Sequence, residues 1–298
     1  MTTPQPSASA LNVARCRAIA AHDAREEIRG NDQLAEIFLD EAGRQSLVDP
    51  AVHLLILKKL ESFSPGSYAY FIARTAYLDA VVEQALRAHI PQLVFLGAGY
   101  DTRACRFREC LEATRVFELD EPVTQSHKRA RLQQAQVPEP KALTYVPIDF
   151  NTEKLLPKLQ EAGYRTGQQT LFIWEGVTYY LPPQTVDETL QFVRSSSAPG
   201  SRICLDYMLP ADHLEGRYGA QQARAAMQAL YTAEPLRFDL DDAQVVPFLN
   251  ERGFELVEHL TADQLQTRYL SLDDGTTAGP ILGLFGMVQA RLIGPAAG

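Results

Sequence analysis

Apolar positions along the chain follow two regimes that meet near Pro91. Before it they recur at helical spacing: Leu11, Ala14, Ala18 and Ala21 mark a helical stretch over about 10–39. Asp49-Pro50 restarts a helix, with Asp49 as N-cap and Pro50 in the first turn, ahead of Val52, Leu54, Leu55, Ile56 and Leu57. A further helix is predicted over about 67–89. Residues 1–9, rich in Pro and Ser, read as a disordered tail. Residues 1–90 are therefore expected to form a helical cap.

After Pro91 short apolar runs alternate with helical segments, the pattern of a parallel sheet with helices on both faces. Strands are predicted over 92–96, 115–119, 143–148, 170–175, 202–208, 254–260 and about 281–292. Helices are predicted near 103–112, 122–136, 152–162, 183–196 and 242–252. Pro199-Gly200-Ser201 is a turn delivering the chain into the fifth strand. Segment 210–236 interrupts the alternation with Pro210, His213, Gly216, Tyr218, Gly219 and an Ala/Gln-rich helix. It reads as an insertion over the carboxyl edge of the sheet, within a second domain spanning 91–298.

Composition alters this picture little. A 46% hydrophobic content suits a soluble globular chain, and a net charge of −9 argues against nucleic acid as main partner, since phosphate binding needs a basic face. Cys16, Cys105, Cys110 and Cys204 lack zinc-type pairing and read as reduced, mostly packed thiols, with no metal expected. The polar start lacks the basic and apolar regions of a secretory signal, and no apolar run approaches the roughly 20 residues of a spanning helix. A cytoplasmic setting without a membrane partner is expected. Nothing in the pattern speaks to oligomeric state.

The chemistry gathers at strand ends, where open α/β sheets bind ligands. The first predicted strand breaks into Gly97-Ala98-Gly99-Tyr100-Asp101-Thr102, in which the glycines let backbone approach a ligand. Thr102 stands where the dinucleotide fingerprint has its third glycine, and Asp101 would repel a pyrophosphate. The loop thus suits a cationic or neutral ligand such as S-adenosylmethionine, a plain structural turn being the alternative. Asp120 ends the second strand, about 20 residues beyond the turn, the spacing of a ribose-binding acid; capping the next helix is the other reading. Asp149 can accept from an adenine amine and Phe150 can pack on its ring, or Asp149 can cap a helix. Glu175 follows a buried run and needs a partner, which a ligand amine can supply. Arg74, on the preceding helix, is either a carboxylate partner for the ligand or an exposed helical arginine.

Assembled, these residues resemble the leucine carboxyl methyltransferase family of S-adenosylmethionine-dependent O-methyltransferases, including its bacterial and polyketide-type branches. The likeness runs through Ala73-Arg74-Thr75, Leu96–Arg103, Phe117–Pro122 with Lys128, Ile148-Asp149-Phe150 and Trp174–Pro182, followed by Pro199-Gly200-Ser201 and Asp206. It covers about residues 45–209 well. The resemblance implies a seven-stranded Rossmann-like sheet whose last strand is antiparallel, with the N-terminal helices forming part of a lid. It also implies that Arg74 binds the methionine carboxylate and that Gly97 and Gly99 lie under the methionyl group. Asp120 would then bind ribose, Asp149 and Phe150 the adenine side, and Glu175 the amino group.

The implied reaction is in-line methyl transfer to an oxygen of a small-molecule or peptide acceptor. A carboxylate acceptor is already ionised and needs no base; a hydroxyl acceptor prefers one. His22, His127 and His213 are candidate bases, with His213 favoured because it follows the fifth strand. Tyr179, Tyr180, Tyr207 and Tyr218 are candidate pocket residues. Two other readings stay open: a non-catalytic adenosine-ligand-binding protein and a nicotinamide-dependent oxidoreductase.

Overall fold

The computed structural model describes residues 5–150 and 152–294. Its seven strands are β1 (Gln92–Leu96), β2 (Arg115–Asp120), β3 (Leu143–Pro147), β4 (Thr170–Trp174), β5 (Arg202–Met208), β6 (Phe254–Leu260) and β7 (Phe285–Leu292). They form one sheet in the order β3-β2-β1-β4-β5-β7-β6, in which only β7 runs antiparallel to its neighbours. The Rossmann-like arrangement expected from the alternating pattern is therefore present, reversed last strand included. β1 and β4 are buried along their whole length, which is why they read as continuous apolar runs.

Ahead of the sheet come α1 (Ala8–Ala20), α2 (Glu41–Val48), α3 (Pro50–Phe63) and α4 (Ser67–Arg87). Asp49 caps α3 as expected, its carboxylate accepting from the amides of Ala51 and Val52. Two expectations for this region are corrected. Residues 10–39 are not one helix: α1 ends at Ala20, and short 3-10 turns follow at Glu26–Ile28 and Gln33–Phe38. The break falls where the Asp23 carboxylate binds the Arg25 guanidinium and backbone amide, and where buried Asp32 caps the second turn. The start is also not a tail through residue 9. Ser7 caps α1, its amide donates to Thr124 Oγ1 (3.1 Å) and its hydroxyl to Glu234 (2.9 Å); residues 1–4 lie outside the described residues.

Between and after the strands lie α5 (Arg103–Arg106), α6 (Pro122–Gln134), α7 (Leu155–Glu161), α8 (Pro183–Ser196), α9 (Ala220–Leu230), α10 (Val245–Glu251) and α11 (Ala262–Tyr269). The helix expected over 103–112 is only one turn, followed by a 3-10 turn at Arg108–Cys110. α11 has no counterpart in the predicted elements; a Thr261/Gln264 capping box starts it, and it packs on α4. The last strand begins four residues later than expected. Its lead-in bonds elsewhere: the Leu282 amide donates to Gly66 O (3.0 Å) and the Gly283 amide to Tyr218 O (2.9 Å). Residues of α4 from Tyr70 to Leu86 share one apolar core with the central strands, so Arg74 is held against the sheet rather than out in solvent.

Candidate functional site

The turn after β1 is fastened to the end of β2. Gly97 and Ala98 both donate their amides to Leu119 O, at 3.0 and 2.9 Å, and Gly99 donates to the Asp120 carboxylate. Gly97 sits at φ +72°, and a Cβ built on it would lie 2.6 Å from Val177 Cγ2. Glycine is thus required twice over, by its backbone angle and by the close approach of the 176–182 segment. The Asp120 carboxylate also accepts from the Glu121 amide (2.7 Å). Burial outweighs these two bonds and pushes its pKa up to about 6.

Behind the turn lies a buried ionic network. Arg103 is 1% exposed and meets three carboxylates: Asp79 (2.7 Å), Asp101 (2.5 Å) and Glu175 (2.8 Å). Arg74 meets Glu175 from the other side (3.0 Å) and Asp206 (2.7 Å). Asp206, wholly buried on β5, also accepts from Tyr70 OH (3.2 Å) and the Gly176 amide (2.7 Å). Burial would lift the Glu175 carboxyl, yet the Arg74 and Arg103 guanidiniums outweigh it and hold the group well below the usual range. Burial dominates at Asp206 and raises it, despite Arg74. Arg106 closes the far side on Asp79 (2.7 Å), and Arg17 pairs with Asp32 (3.0 Å). Arg17, Arg74, Arg103 and Arg106 thus face Asp32, Asp79, Asp101, Glu175 and Asp206, an excess of one carboxylate. Asp120, which has no ion-pair partner among the described residues, adds another.

A cavity of about 920 Å³ opens onto this network. Ligand pockets span about 300–1,000 Å³, so this one lies at the large end of that range. The sheet supplies one wall through Gly97, Gly99, Asp101, Asp120 and Glu175; α1, α3 and α9 supply the others. Arg74, Phe150, Tyr179 and Tyr180 also line it. Burial raises the hydroxyl pKa of both tyrosines, so both stay protonated at neutral pH.

Four residues expected at the site lie away from the cavity wall. His213 sits half-exposed in a 3-10 turn, its Nδ1 2.8 Å from Asp241. Tyr207 points to the other side of β5, where its hydroxyl donates to Asp242 and lies 2.6 Å from His259. Tyr218 is 45% exposed and donates to Glu61. Asp149 accepts from the Thr152 hydroxyl (2.8 Å) and its carbonyl accepts the amides of Thr152 and Glu153, a closed turn ahead of α7, whose own N-cap is Lys154, so the helix-cap reading does not hold either. Phe150 and Glu121, by contrast, line the cavity. His22 is exposed against Glu36, and His127 bonds Tyr100 OH (2.7 Å).

The leucine carboxyl methyltransferase family model matches residues 10–194, which carry α1, α3, the glycine turn and the ionic network except Asp206, but not α9. The chain belongs to that family. A Mycobacterium avium protein named for S-adenosyl-L-methionine-dependent methyl transfer is 32% identical over 289 residues, spanning 90% of this chain and 88% of the relative. Bacillus subtilis YktD, named in the same way, is 28% identical over 200 residues, spanning 67% of this chain and 66% of its own. A solved Thermobifida fusca protein described as a methyltransferase superposes with a TM-score of 0.62 at 17% identity, over 97% of this chain and 96% of that one. That likeness shows a shared fold.

Proposed function

We propose that this family member binds S-adenosyl-L-methionine across the Gly97–Gly99 turn and transfers its methyl group to a carboxylate oxygen of a small-molecule acceptor in the same cavity. The observation that carries the reading is the buried network under the turn. Its excess of carboxylates favours a ligand carrying sulfonium and ammonium charges over a pyrophosphate. When bound, S-adenosylmethionine supplies a methyl carbon made electrophilic by its sulfonium.

The chain's own residues bind, orient and exclude water. Asp120 accepts from ribose hydroxyls beside the Gly99 amide, and Glu175, pinned by Arg74 and Arg103, faces the ligand amine as a fixed anion. Arg74 spends Nε on Glu175 and Nη1 on Asp206, leaving Nη2 for the methionine carboxylate. α1 lies over the turn, with Ala10 Cβ 3.3 Å from where a Gly99 Cβ would stand, and keeps water from the reacting atoms. Residues 1–90 then act as the cover of the site, with 210–236 closing the acceptor end. Catalysis of this kind rests on placing the nucleophile about 3 Å from the methyl carbon.

A carboxylate acceptor fits best because it arrives ionised. Among the described residues no histidine lines the cavity, Glu175 is held as an ion pair, and Tyr179 and Tyr180 stay protonated. Calorimetry with S-adenosylmethionine and with NAD, followed by a labelled-methyl screen of matched carboxylic acids and phenols, tests the reading. Transfer to acids alone is the expected result. NAD binding without an S-adenosylmethionine signal overturns it.

A further inference from the structure

The cavity has two chemically different ends. Beyond the polar turn, α3 and α9 pack together, and Ile56, Leu60 and Phe63 face the cavity opposite Met227 and Leu230. Such a slot takes an apolar body by burial alone. Five cationic residues line the whole cavity, and three are neutralised: Arg15 by Asp40, Arg17 by Asp32 and Arg74 by Glu175. Lys59 on α3 and Arg237 after α9 are exposed at the rim, and neither side chain makes an ion pair or hydrogen bond among the described residues. The Arg237 backbone is anchored beside the site, because its amide donates to Tyr179 O (2.8 Å). In a chain with net charge −9, two exposed and unneutralised cations in the lining of the cavity that holds this apolar slot form a local anion-attracting feature.

We propose that the acceptor is an amphipathic small molecule carrying a fixed negative charge separate from the oxygen that is methylated. Its apolar body lodges between α3 and α9, and Lys59 and Arg237 hold the second anionic group at the rim. This inference rests on the methyltransferase reading above, which assigns Arg74 and the turn to the donor and so leaves the rim pair for the acceptor.

Two dyes that differ by one sulfonate group test it: 8-anilinonaphthalene-1-sulfonate and its uncharged parent, N-phenyl-1-naphthylamine. They are titrated into the full chain saturated with S-adenosylhomocysteine, and S-adenosylmethionine binding is measured in parallel by calorimetry. The sulfonate is expected to bind at least about fivefold tighter than the neutral dye, the combined effect of two exposed charge contacts. The double variant Lys59→Gln/Arg237→Gln should erase that preference while leaving the neutral dye and S-adenosylmethionine unaffected. Met227→Trp, which fills the slot, should weaken both dyes. Equal affinity of the two dyes, or a preference that survives the double variant, overturns the proposal. Loss of S-adenosylmethionine binding in the double variant also overturns it, by giving the cations to the donor. Absence of S-adenosylmethionine binding in the unaltered chain instead overturns the methyltransferase reading itself.

Discussion

Arg74 Nε lies 3.0 Å from Glu175 Oε1, joining α4 to the end of β4 through an ion pair whose arginine is 2% exposed. The two partners are not equivalent. Arg74 also neutralises Asp206, whereas Glu175 has a second cation in Arg103. Arg74→Met therefore leaves Asp206 buried without its cation. Breaking a buried pair costs about 3–5 kcal/mol, or roughly 6–20 °C of melting temperature in a domain of this size. Glu175→Gln removes an acid while leaving both arginines other partners, so its thermal cost should stay under about 2 kcal/mol. Its S-adenosylmethionine affinity should nonetheless fall about tenfold or more, a loss of about 1.4 kcal/mol in binding. Thermal melts and calorimetry on the two variants separate these effects, and equal melting losses would refute the asymmetry.

Gly97 and Val177 allow a second test. Gly97→Ala introduces a Cβ 2.6 Å from Val177 Cγ2 at a φ of +72°, so clash and backbone strain add. The strain alone is worth about 1–3 kcal/mol. Gly97→Ala/Val177→Ala should recover the clash but not the strain, giving stability between the single variant and the unaltered protein. A double variant no more stable than Gly97→Ala would show that Val177 is free to move aside.

Much of this site was legible because strand ends in an open sheet announce themselves: an apolar run, then Gly97, Asp120 or Glu175. Arg103 was missed as a partner because a basic residue opening a helix looks like surface, and its burial depends on Asp79, 24 positions away. His213 and Tyr207 misled for the opposite reason. Both follow or lie on β5, but alternation sends Tyr207 to the face opposite Asp206, where Asp242 and His259 take its hydroxyl. α11 went unseen because its eight residues are mostly polar, with Leu265 and Ala262 the buried positions. The break after Ala20 comes from charge pairing at Asp23 and Asp32, which an apolar period does not report.

Asp120 should impose a pH dependence on donor binding. Its folded-state pKa is raised by burial to about 6, so the ionised acceptor exists mainly above that pH. The sign for stability is opposite. Between the ordinary carboxylate value and about 6 the folded state holds a proton that the unfolded state has released, so this group's contribution to stability falls as pH rises through that window. S-adenosylmethionine affinity should be flat above about pH 6 and weaken below it. Asp120→Asn should bind more weakly throughout and lose the inflection near 6. An inflection that persists in the variant would assign the titration to another group.

Ser7 ties three segments around the cavity together: it caps α1, donates its hydroxyl to Glu234 and its amide to Thr124 Oγ1. Glu234 belongs to the segment after α9 and Thr124 to α6, so the contacts join the N-terminal helix to both rims of the cavity. The route at issue is escape of a ligand past α1, which these contacts hold down. Ser7→Ala removes the hydroxyl bond and the cap, together worth about 1–2 kcal/mol, while no residue of the buried network changes. The melting temperature should move by only a few degrees, since the loss is confined to the edge of the fold. Dissociation of S-adenosylhomocysteine, followed by stopped-flow displacement, should accelerate about five- to thirtyfold if the lost energy appears wholly in opening. Hydrogen exchange in α1 should rise in parallel. An unchanged off-rate alongside faster exchange in α1 would mean that the ligand leaves by another path, between α3 and α9, and that Ser7 serves the helix alone.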